Sequence, residues 1–127
     1  MPTPSSFDYA VLRVVPRVER QEFVNVGVIL YCLTQRFLGA SVLLHAEKLR
    51  ALAPDIALEL VEAHLAAVPR LCAGGRGTGP IGQLPQKERF HWLVAPRSTM
   101  IQVSPVHSGL CTEPHAALEH LMATMVK

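Results

Sequence analysis

Two stretches of the 127-residue chain carry side chains suited to chemistry. In the first, Arg97, Ser98 and Thr99 are followed by Gln102, Ser104 and His107. A planar guanidinium fork, hydroxyls and turn amides form the shell that closes around a phosphate or carboxylate, which makes this the best anion-binding candidate. The plainer account is a polar hairpin tip with solvated side chains. Ser98 or Ser104 with His107 and Asp8 also supplies a nucleophile, a base and an orienter, the parts of a hydrolytic triad. Nothing fixes that geometry, because the chain has no G-x-S-x-G elbow and Ser before Pro is an ordinary turn choice.

The second stretch is Asn25 and Gly27, inside the most apolar segment, where Asn is disfavoured and Gly weakens packing. On a period of two, Phe23, Asn25, Gly27, Ile29 and Tyr31 share one face. Gly27 then marks a bulge or a close backbone contact, and Asn25 needs hydrogen-bond partners from the fold, a ligand or a partner protein. Arg13 joins such a site if the first two strands lie beside the last pair.

Other spacings fail on context. Gly77, Gly79 and Gly82 match G-x-G-x-x-G, but a helical pattern precedes them, Pro80 interrupts them and no helical pattern follows, so no dinucleotide site is read. His107, Cys111 and His115 would align on a continuous helix, yet Pro105, Gly109 and Pro114 break it. Glu19 and Glu22 alternate with Arg17 and Arg20, as in a solvated loop. The expectation is therefore no catalytic set, no metal site and no cofactor.

The elements that position these residues follow from periodicity. Asp8 to Val15 suits a strand closed by Pro16; Glu22 to Tyr31 is a second, covered on both faces; Phe37 to Leu44 returns as a third in a hairpin. A short helix over 46–53 precedes a longer one in which Ile56, Leu60, Val61, Leu65 and Val68 line one face, with Pro54 and Asp55 in its first turn and Pro69 at its limit. Residues 73–88 hold five glycines and two prolines and read as a flexible loop. RFHWLVA and MIQVS alternate as two more strands, and the SPVHSG turn leads to a final helix capped by Thr112, with Leu118, Leu121, Met122 and Met125 on one face. The fold expected is α+β: a single domain over 1–127, with a mostly antiparallel sheet of about five strands and two or three helices packed on one side.

Bulk properties bound the partners. A net charge of +2 is too small to argue for a polyanion, although residues 64–127 hold 6 basic and 3 acidic side chains against 6 and 7 in residues 1–63. Phe90 and Trp92 on a core element read as packing rather than a base-stacking platform, so nucleic acid is disfavoured. Charged residues make up only 17% of the chain, and excess apolar surface in a small domain points to cover by a protein partner or a second subunit. Three widely spaced cysteines, no signal-peptide pattern and no membrane-length apolar run give a cytoplasmic expectation.

The strings YAVLRVVPRVERQEFVNVGVIL and RFHWLVAPRSTMIQVSPVHSGLC resemble the two signature blocks of the bacterial "domain of unknown function 3037" family. The resemblance runs from Tyr9 to Val126 and is most distinctive in the polar order from Arg97 to Gly109. It implies a small cytoplasmic prokaryotic protein whose gene often neighbours one for a HipA-like kinase-fold protein, and it transfers no catalytic residue. The function expected is a non-enzymatic interaction module acting with a partner protein. The alternative is a phosphate- or nucleotide-binding domain, with hydrolase or transferase chemistry in reach. The candidate ligand- or partner-binding residues are Arg13, Asn25, Arg97, Ser98, Thr99, Ser104 and His107.

Overall fold

The computed structural model describes residues 3–95 and 100–127. Its middle strand is β1 (Ser5–Val14), which pairs antiparallel with β2 (Val24–Cys32) on one side. β2 continues into β3 (Phe37–Val42) through a tight turn in which Arg36 takes a left-handed conformation. On its other side β1 holds two short strands end to end, β4 (Ile101–Val103) and β5 (His107–Cys111). The order is β3-β2-β1-β4, with β5 also on β1, and every pairing is antiparallel.

Helices cover both faces of this sheet, not one as expected. On the first face α1 (Ala46–Leu52), α2 (Leu58–Ala73) and α4 (Gln86–Leu93) bring Leu49, Val61, Leu65, Val68, Cys72, Phe90 and Leu93 onto Leu12, Val14, Val26, Ile29 and Tyr31. On the second, α5 (Pro114–Met125) packs Leu118, Leu121 and Met122 over Phe7, Val28, Leu30 and Cys32. From Val26 to Cys32 β2 is apolar and buried because both its faces are interior there. Each large apolar side chain buried this way contributes about 1.5–3 kcal/mol before entropy is counted.

Strict alternation along β2 breaks at one point. Leu12 pairs with Gly27 but Arg13 pairs with Asn25, so Val26 is an extra, bulged residue. Val26 joins Ile29 and Tyr31 in the first core, and Asn25 turns away from them towards the C-terminus of α5. The shared face expected for Asn25, Ile29 and Tyr31 is thus corrected by a bulge beside Gly27. Gly27 itself is obligatory: a Cβ there would stand 2.6 Å from Ser41 O on the neighbouring strand.

Four further expectations change. RFHWLVA is not a strand; its residues fall in and just after α4, because Phe90 and Leu93, three apart, are the buried pair, while Trp92 turns outward. The glycine-rich segment contains one helical turn, α3 (Gly79–Gly82), and α4 opens inside its last residues. α2 begins after Pro54 and Asp55 and runs through Pro69 to Ala73. An interior proline costs about 3 kcal/mol, which continued burial of Val68 and Cys72 offsets. α2 stops at Gly74, whose φ of +69° suits glycine and whose missing Cβ makes room for Arg89. The Arg89 guanidinium, 8% exposed, donates to Gly82 O at 3.3 Å and lies beside the negative end of α2. α5 is capped by Glu113, not Thr112: its carboxylate accepts from the amides of His115 and Ala116 at 3.1 Å, and Pro114 fills the first turn. No helix of the described residues is long and apolar enough to cross a membrane.

Candidate functional site

Arg13 and Asn25 are register partners on adjacent strands, and Gln102 is the partner of Arg13 on its other side, so three polar residues form one row across the sheet. The Arg13 guanidinium carbon stacks 4.1 Å from the centroid of the Phe23 ring. Asn25 Nδ2 donates to Met125 O at 3.0 Å, and His45 Nε2 donates to Val126 O at 2.9 Å. Together these two side chains satisfy carbonyls that the end of α5 leaves open. Arg13 Nε and Asn25 Oδ1 are buried and have no partner among the described residues. Arg97, Ser98 and Thr99 lie outside the described residues.

Ser104 and His107 are not beside that row. Ser104 is buried where β4 gives way to β5: its Oγ accepts from the Val11 amide at 2.8 Å and donates to Pro105 O at 2.9 Å. The sum of paired residue numbers along β1 changes by one between the two short strands, so residues 104–106 hold an extra residue. Ser104 Oγ supplies the acceptor that the interrupted ladder denies to Val11. His107 is exposed, pairs with Tyr9 and lies against its ring at 5.6 Å. Tyr9 is four residues from Arg13 along β1, about 13 Å away. Asp8 accepts from Ser108 Oγ at 2.8 Å. Ser104, His107 and Asp8 are therefore occupied separately and form no proton relay. Glu22 pairs with Arg20, whose guanidinium is held above its usual range by that carboxylate, as a solvated loop requires.

The reading from periodicity missed an apolar concavity beside α2. α2, α4 and β4 enclose a groove of about 420 Å³ whose floor is Leu12, Val61, Val68 and Val103. Leu60, which the helical pattern assigned to the core, stands on its rim at 65% exposure, with Trp92 at 39% and Met100 at 37% across from it. The polar side chains lining it are His64 and Gln102. The signal was in the sequence: α2 carries two apolar stripes. Val61, Leu65, Val68 and Cys72 enter the core, whereas Ala57, Leu60, His64, Ala67 and Leu71, spaced by three and four, line the groove.

The cysteines offer no nucleophile for this groove. Burial pushes the Cys72 thiol up to about 12, and the thiol of Cys111 is raised by burial and by neighbouring Cys32. Dinucleotide binding at Gly77, Gly79 and Gly82 has no scaffold, since α2 rather than a strand precedes them.

No curated protein and no solved structure matches the chain. A family model does, over residues 9–126, from within β1 to just past the end of α5. With all of the sheet but the first four residues of β1, its two helical layers and both polar blocks inside that span, the chain belongs to the family described as "Protein of unknown function (DUF3037)".

Proposed function

We propose that the protein is a non-enzymatic interaction module whose docking surface for a protein chain is the groove between α2, α4 and β4. The observation that carries this reading is the exposed apolar rim of Leu60, Trp92 and Met100 around an apolar hollow. An exposed apolar rim around a hollow marks a surface that another molecule covers, and Trp and Met are enriched at the cores of protein interfaces. Ser104 bound to backbone and a Cys72 thiol buried in the core supply no competing chemistry. The family resemblance adds a HipA-like kinase-fold protein as the heterologous partner to test.

The experiment combines sedimentation of the purified chain with co-expression of the neighbouring kinase-fold protein. A complex in either arm, lost in Leu60→Glu while the circular dichroism spectrum is kept, is the expected result. A chain that stays monomeric, ignores that protein and binds nothing through Leu60 overturns the reading.

A second reading, an anion site, rests on Arg13. Its guanidinium has no acidic partner among the described residues, and its buried Nε donor is unpaired. Inorganic phosphate and ATP titrated at low salt, where charge attraction is strongest, should give heat that Arg13→Ala removes; no heat at low salt ends this reading.

A further inference from the structure

The groove-lining stripe of α2 is self-complementary. Taken in order, Ala57, Leu60, His64, Ala67 and Leu71 are spaced three, four, three and four, which places the last four along one seam of the 16-residue helix, about 24 Å long, with Ala57 at its N-cap. A two-fold axis through His64, with two α2 helices antiparallel, sets Leu60 of one copy against Ala67 of the other. The same operation sets Leu71 against Ala57. Large meets small at every layer away from the axis, the arrangement that lets two apolar surfaces interdigitate without voids or overpacking. His64, exposed in the single chain, meets its own equivalent on the axis.

Charge follows the same symmetry. The exposed residues flanking the seam are Glu59 near its start and Arg70 near its end, and neither forms an ion pair within the chain among the described residues. Antiparallel docking brings Glu59 of one copy beside Arg70 of the other, twice. Isologous contact of this kind closes on itself and leaves no free copy of the surface.

From this we infer that the groove's occupant is a second copy of this chain, docked antiparallel through α2 with Leu60 as the knob that fills its partner's hollow. The inference rests on the reading of the groove as a protein-docking surface and names what it docks.

The test is equilibrium sedimentation of the full chain and four variants. The wild type should dimerise, and Leu60→Glu should weaken the dimer about 30-fold or more, as loss of an interface anchor does. Glu59→Arg and Arg70→Glu should each weaken it severalfold, and the double variant E59R/R70E should recover the wild-type affinity, because the charges are then merely exchanged across the axis. All three positions are exposed, so circular dichroism should report an unchanged fold. A monomeric wild type, or a double variant no better than its parents, overturns the inference. If the chain is monomeric yet its complex with the kinase-fold neighbour is abolished by Leu60→Glu, the docking surface stands with a different occupant. If neither association occurs, both fail.

Discussion

Replacing Ser104 by Ala removes one oxygen from the interior and leaves the Val11 amide without its acceptor. The hydroxyl accepts that amide at 2.8 Å in a buried setting, and the same Val11 returns its carbonyl to the Ser104 amide at 2.9 Å. Removal therefore strands a donor in a dry place, where the cost is desolvation of the amide rather than the small net value of an exchanged hydrogen bond: about 1–3 kcal/mol. For a chain of this size that corresponds to a melting point lower by roughly 3–12 °C. Urea unfolding should show a lower midpoint at constant slope, and amide hydrogen exchange should show lost protection at Val11. Ser108→Ala, which breaks an exposed bond to Asp8, serves as the control and should change stability by less than about 0.5 kcal/mol. If Ser104→Ala stays within that same margin of the wild type and Val11 keeps its protection, the assignment of Ser104 to the architecture is refuted.

Gly27→Ala should destabilise by about 1–3 kcal/mol, since its Cβ meets a backbone oxygen that cannot yield without moving β3; thermal unfolding reads it. Glu113→Ala should cost about 1 kcal/mol and release the amides of His115 and Ala116 to exchange, leaving the sheet protected. The Cys72 thiol gives a pH signature. Its ordinary value is 9.0 and folding holds it near 12, so between the two the native state binds more protons than the unfolded one. Stability therefore falls as pH rises through that window, with a slope approaching about 1.4 kcal/mol per pH unit. Below the lower value the contribution is fully present. Cys72→Ala should flatten the slope above pH 9, and an unchanged slope counts against burial as the cause.

The hairpin of β2 and β3, strand β1 and helices α1, α2 and α5 were all legible because each has a long enough run at one period. α4 was not: in RFHWLVA the apolar residues satisfy two periods at once, and only contact of Phe90 with Tyr31, their rings stacked at 5.4 Å, decides between them. β5 hid behind Pro105 and Gly109, which read as turn residues until Phe7 is seen lying over Gly109, where a Cβ would come within 2.7 Å of the ring. Which face each helix takes has no local signal, and α5 goes opposite to the others because β5 delivers it there. Of the candidate residues, pairing of β1 with both β2 and β4 brings Arg13 and Asn25 together, a juxtaposition the sequence allowed but could not choose. Leu60 was assigned to the wrong stripe because two apolar stripes on one helix lie only about 100° apart, one residue's rotation.

The middle position of β1 has a temporal consequence. It is made first among the strands, yet one of its edges waits for partners that follow by about 90 positions, as the 93-residue separation of Val11 from Ser104 records. At elongation speeds of about 5–20 residues per second, a ten-residue strand bonded only to β2 stands open for several seconds of every synthesis. That interval is when a nascent chain can be captured edge to edge by another, so translation rate and chaperone supply, more than final stability, should govern how much of this protein survives as native molecules.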